Sequence, residues 1–452
     1  MLPSSGALVL HASGPSGGGT IHLGGAFQGQ GTTYRAQTNT IDTGTQLNAD
    51  ATANGHGGEV IVWADGHTAY AGEISARGGP QGGDGGRVEV SGKGSLDFQG
   101  NVDAGAPQGM AGSLLLDPTY LTIGLAEAGL ISRVLRTGTS TTLAADIDIN
   151  VNAAIDGRGR RAGGGLTFNA GHDINVNDFI ITNNGLINLL ASGGTVNMAP
   201  GTALFAGNAP ITVRTGGTLS TGNLITTGAL SVASTGGSVN VDSPIDGDTR
   251  AVAINAAHSL TVNQPILNLR SGSPLTLTAG DDLVVNAQID GRGGVAGGAA
   301  TLAAGNNATI NSFIITNSGP ISIDAARGNA SLTPGAGLYA GSAPITVSAG
   351  NNIATGNLIT SGPLSALSRA GSITVSAPID GATGPVTLNA ANDVVVTQSI
   401  VNSRSDAPLM IAAGRDILVN AQIDGRDADP ASASGSISLT AGRNVELTKS
   451  VI

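Results

Sequence analysis

Short runs in which apolar and polar residues alternate fill most of this 452-residue chain. In "SVNV", "PLTLTA", "LVVNAQI" and "SITVSAPI", Val, Leu or Ile recur at alternate positions, with Ser, Thr or Asn among the residues between. A strand that buries one face produces this period of two. Helical spacing is confined to "LAEAGLISRVLRTG", where Leu130, Ile131, Val134 and Leu135 share one face and Gly138 is placed to end the turn. The pattern predicts an all-β chain with one short helical insertion near 126–137.

The strands recur at a fixed interval. "AIDGR" at Ala154, "QIDGR" at Gln288 and "QIDGR" at Gln422 are 134 residues apart. "FIITNN" at Phe179 returns as "FIITNS" at Phe313, and "TGNLITTG" at Thr221 as "TGNLITSG" at Thr355. Repeat units are therefore expected over 153–286 and 287–420, with a truncated third over 421–452. Its three extra residues fall in "DADPASASG". The helix and its connection take 125–152, and an N-terminal segment with longer coils takes 1–124. There "GGEVIVWADG" at Gly57 and "GGRVEVSGKG" at Gly85 lie 28 apart.

Within each large unit a smaller period runs through Ile155, Ile180, Leu204, Leu224, Ile245, Ile266 and Ile289, at spacings of 20 to 25 residues. A short fixed period is the mark of a solenoid. Three short strands and their turns use about 22 residues, so a triangular parallel β-helix is expected. With coils ~4.8 Å apart, roughly 20 of them would make a rod on the order of 90–100 Å long. Ile315 is expected at a core position.

Composition sharpens this picture. Glycine supplies 71 residues, while aromatics are 2% and charged residues 11%. So few large rings favour a thin core of Val, Ile, Leu and Ala bent by frequent turns. Net charge is −11. The densest basic cluster is Arg158, Arg160 and Arg161, which argues against a nucleic-acid partner. There is no cysteine, hence no disulfide or thiolate chemistry. No apolar run approaches the roughly 20 residues of a membrane span, and the start lacks the features of a signal peptide.

The N-terminal wording, "GGGTIHLGGAFQGQG", "GGEVIVWADG" and "GGDGGRVEVSGKGSLDFQGNVDAGAPQGMAGSLLLDP", resembles the filamentous-haemagglutinin-like exoproteins of Gram-negative bacteria over roughly residues 17–124. The resemblance implies a right-handed parallel β-helix, export by two-partner secretion, and a role in adhesion, aggregation or display of an effector. It implies an outer-membrane transporter as partner, acting through a secretion domain without a counterpart in this sequence, so an interior segment is expected. Localisation would be extracellular or at the cell surface.

Catalytic candidates are Asp156, Asp246, Asp290, Asp380 and Asp424, each in an "IDG" phrase, with Arg292 beside Asp290. Their recurrence favours turn residues, with Gly at positive φ, over a reaction centre that should occur once. "GGDGGRVEV" at Gly82 places Arg87 where a calcium nonapeptide needs Asp, so a tight turn is expected. His11, His22, His56, His67, His172 and His258 lack metal-ligand spacing and are expected on surface loops. "GPSGGG" at Gly14 lacks the ending of a phosphate loop. Trp63 and Tyr70 suggest either a sugar-stacking patch or, more simply, buried rings.

No catalytic, cofactor or metal residue is assigned on these grounds. The expectation is a non-catalytic structural rod of a surface adhesin, presenting binding or effector regions away from the cell. Its partners would be host-cell or matrix glycans, or other copies of itself. Alternatives are a carbohydrate-active β-helix enzyme and a passive biofilm-matrix scaffold.

Overall fold

In the computed structural model nearly every regular element is a strand, and parallel strands stack as a β-solenoid of about 16 turns, with one helix of seven or more residues among the described residues. Residues 8–159, 162–246, 251–267, 272–292, 297–380, 384–401, 407–425 and 435–452 are described. Arg160, Arg161, Arg426 and most of "DADPASASG" lie outside them. The chain forms two compact units, Met1–Gly228 and Ala229–Ile452.

In the second unit one coil shows the plan. Leu275–Ala279 forms the first face, Leu283–Val285 the second and Ile289–Gly291 the third. The next coil pairs in parallel above it, Leu275 opposite Ala300, Leu283 opposite Ala308 and Ile289 opposite Ile314. Alternation sends Leu275, Leu277, Leu283, Val285 and Ile289 inward, all fully buried. Burying each such side chain contributes roughly 1.5–3 kcal/mol against the entropy of ordering the backbone.

On the third face Ile245, Ile266 and Ile289 bridge in turn. The column continues through Ile314, Leu338, Leu358, Ile379, Ile400 and Ile423. In the first unit Ile155, Ile180, Leu204 and Leu224 form a column of the same kind. These are the positions the short period marks. Ile315 is a correction: Ile314 is the buried residue, and Ile315 stands opposite Asp290 on the outward side. A period of two lets only one of two adjacent isoleucines enter the core.

The 134-residue period also reproduces the corners. Thr182 and its equivalent Thr316 bond the carbonyls of Gly185 and Gly319. Between each pair, Asn184 and Ser318 take left-handed backbone at φ 61° and 64°. Outward asparagines tie adjacent coils together. Asn286 Nδ2 donates to Asn263 Oδ1 at 3.0 Å, and Asn311 Nδ2 to Asn286 Oδ1 at 2.8 Å.

The first unit begins with larger coils: Thr20, Glu59, Arg87, Ser113 and Ser140 are successive register partners. Glu59–Tyr70, a 12-residue strand, pairs with Arg87–Gly92 and with Ser95–Phe98. Gly18, Gly57 and Gly85 mark successive corners here. A Cβ on any of them would stand 1.8–2.1 Å from a backbone carbonyl oxygen, of Ala49, Ala76 or Ala104. Glycine is required at those crossings.

Helix α1 spans Leu125–Arg136, as the local spacing predicts. Glu127 Oε2 accepts the Gly124 N–H at 3.0 Å at its start, and Gly138 turns away at φ 96°. Leu130, Ile131, Val134 and Leu135 are buried. The helix takes the place of a third-face strand in its coil, packing against Asn101–Asp103 and Ile155–Asp156.

Candidate functional site

The third face carries the recurring Ile-Asp-Gly phrases. In each, the isoleucine is buried and belongs to a short strand, so the aspartate next to it points outward. The expected turn holds in part: Asp156 and Asp290 each accept the backbone N–H two residues on, as a turn aspartate does, but Gly157, Gly291 and Gly425 do not take positive φ. The five aspartates are not brought together. Asp156 stands opposite Ile181, Asp290 opposite Ile315, and Asp380 and Asp424 both opposite Val401. The nearest two of these carboxylates are separated by a whole coil.

Among the described residues, Asp156 and Asp290 hold an arginine. Asp156 accepts from Arg158 Nε at 2.9 Å, from Nη2 at 2.7 Å and from its backbone N–H at 3.0 Å. Asp290 holds Arg292 in the same way, from Nη2 at 2.8 Å and the backbone N–H at 2.9 Å. Hydrogen bonds from Arg158 hold the Asp156 carboxyl below its ordinary range, and those to Asp290 raise Arg292 above its own. Gln288 Nε2 also donates to Asp290 Oδ2, at 2.9 Å.

Beside the second of these pairs lies a cleft of ≈ 510 Å³ lined by Gln288, Arg292, Phe313, Ile315 and Tyr339. Phe313 and Tyr339 meet edge to face with centroids 5.8 Å apart. Phe313 is 37% exposed. Tyr339 leans along its own strand over Gly337, where a Cβ would stand 2.6 Å from the ring. The first unit has Phe179 and Phe205 at the equivalent positions, also exposed, but Ala154 and Ala203 in place of Gln288 and Gly337. The sequence reading passed over these aromatics; their identical 134-residue spacing beside the Asp–Arg pair was the available signal.

The other candidates resolve differently. Trp63 and Tyr70 are buried, and Tyr70 stacks on Phe98 at 5.7 Å. "GGDGGRVEV" is a turn with Gly82 and Gly83 at φ 153° and 109°, and Arg87 leaves it to pair with Glu59. All six histidines are exposed, but His11, His22 and His67 stand on strands, not loops. His172 lies with Asp148 and Asp173, their ligand atoms within 4.8 Å of one another. Asp148 comes from the coil before, so linear spacing hides this grouping. Its carboxylates already accept backbone N–H groups: Asp148 that of Asp173, and Asp173 that of Thr195.

One feature escaped the sequence altogether. Residues 24–35 strap across the outward side of the Glu59–Tyr70 and Arg87–Gly92 strands. Phe27 lies under the Arg87 guanidinium, 4.3 Å from its ring centroid, and Gly25 and Gly29 fit against the Trp63 ring. Beneath the strap Glu89 is fully buried, and burial pushes its carboxyl up to about 7.

The chain matches no model of a known protein family and no functionally characterised protein.

Proposed function

We propose that this chain is a non-catalytic structural segment of a secreted or surface-exposed bacterial exoprotein of the adhesin type, spacing binding or effector regions from the cell. The reading rests on the N-terminal wording and on one structural observation. From Ile289 to Ile423 the third-face column of the second unit runs without a gap through seven coils. Each coil then buries its apolar face mainly against its neighbours, and stability becomes a sum of like interfaces, which suits a spacer. The outward aspartates stand apart, and Asp156, Asp290 and Asp424 engage local partners, an arrangement that favours structure over acid–base chemistry.

Two experiments test it. Antibody labelling of intact producing cells should find the chain outside, and deleting one 134-residue unit should leave the remainder folded and shorten the particle in electron micrographs. Purified chain incubated with polysaccharides should release no new reducing or unsaturated ends; release abolished by Asp290→Asn would establish the carbohydrate-active enzyme instead.

A further inference from the structure

We propose that the cleft between Gln288, Arg292, Phe313 and Tyr339 binds a neutral pyranose sugar of a glycan chain. The site goes beyond the spacer reading, since a spacer needs no ligand. Its floor is apolar and its rings are set at an angle: Phe313 and Tyr339 meet edge to face at 5.8 Å. Such ring faces take the C–H face of a sugar by dispersion and the quadrupole of the ring. Tyr339 is held in that pose because Gly337 leaves room for it; a methyl group there would stand 2.6 Å from the ring.

The rim supplies hydroxyl recognition. Arg292 spends Nε and Nη2 on Asp290, and Gln288 spends its amide N–H on the same carboxylate. Among the described residues nothing takes up Arg292 Nη1, the Gln288 side-chain carbonyl or the Tyr339 hydroxyl. A donor, an acceptor and a group that is both thus border one cleft, which matches adjacent sugar hydroxyls. The Asp290 carboxylate already neutralises the guanidinium, so the rim selects an uncharged ligand over an acidic one. In the first unit the same frame exists around Asp156, Arg158, Phe179 and Phe205, but without the glutamine carbonyl, the tyrosine hydroxyl or the glycine seat. The second unit carries the better-built site.

The test is titration calorimetry of the full chain with maltohexaose, cellohexaose and β-1,4-galactohexaose, with a hyaluronan hexasaccharide as the acidic arm. At least one neutral hexasaccharide should bind in the micromolar to millimolar range. Tyr339→Ala and Phe313→Ala should each weaken it tenfold or more, and Gly337→Ala, which keeps every ligand-contacting group but displaces the ring, several-fold. Phe205→Ala should leave it unchanged. Melting curves of the variants separate lost binding from lost fold, and ligand-induced amide shifts at Phe313 and Tyr339 locate the site without any substitution. Binding of only the acidic oligosaccharide, no neutral binding, or full affinity in folded Tyr339→Ala would overturn the proposal. None of these outcomes bears on the spacer reading, which fails on reducing-end release or on cell labelling.

Discussion

The backbone N–H of Gln28 donates to Glu89 Oε2 at 2.8 Å, joining residues 61 apart in the chain across the outward side of a sheet. Gln28 takes left-handed backbone, φ 53°, to make the bond. The strap it belongs to turns what would be a solvated strand position into a buried one. Arg87 and Glu59 at the rim and Asp117 on the neighbouring coil complete the charged surroundings. Burial raises Asp117 as well.

That burial makes stability depend on pH. Glu89 is raised from 4.5 to about 7. Below 4.5 the carboxyl is protonated whether folded or unfolded. Between 4.5 and about 7 only the unfolded chain releases the proton, so stability falls as pH rises. Above about 7 the loss is complete, on the order of 3 kcal/mol. Glu89→Gln should therefore match the native chain at pH 4.5 and exceed it at pH 8. Hydrogen exchange at Val88 and Val90 across that range measures the difference; equal protection in both chains at pH 8 would contradict it.

Adjacent isoleucines should behave as opposites. Ile314→Ala empties a fully buried position and should cost about 2–5 kcal/mol. Ile315→Ala, on the outward side, should cost well under half as much. Urea midpoints of the two variants provide the comparison, and equal losses would place both side chains inside.

Glycines differ as sharply. A Cβ at Gly85 would stand 1.8 Å from the Ala104 carbonyl oxygen, whereas one at Gly129 in helix α1 meets nothing within 4 Å. Gly85→Ala should shift two coils apart locally and lower the melting temperature. Gly129→Ala should raise stability by roughly 0.5–1 kcal/mol by restricting the unfolded backbone. Calorimetric scans giving the same sign for both would refute the distinction.

The asparagine ladder should couple its members. Asn286 both donates to Asn263 and accepts from Asn311. Asn286→Ala removes two hydrogen bonds and should cost about 1–2 kcal/mol, moderated by exposure to water. In a double-mutant cycle with Asn263→Ala the losses should fall short of additive, because the two variants remove one bond in common. Strict additivity would mean that the ladder contributes nothing.

Periodicity alone determined most of the fold. The recurrence of Ile155, Ile180, Leu204 and Leu224 marked coil-to-coil neighbours, and the same rule recovered Ile245, Ile266 and Ile289. Helix α1 was legible because its apolar residues depart from the period of two around it. The repeated Asp-Gly dipeptides were half legible: Asp156 and Asp290 bond the local backbone as expected, but the glycines beside them do not take positive φ, which only the backbone could show.

The rest needed the tertiary structure. Which of Ile314 and Ile315 enters the core is a matter of register, and one residue of slip inverts it. The cleft assembles Gln288, Phe313 and Tyr339 from three successive coils, and the His172 group draws on two. The strap over Glu89 joins Gln28 to a strand residue 61 positions on. In a solenoid the chain direction carries the period, but chemistry is built across coils, where neighbours in space are twenty or more residues apart in sequence.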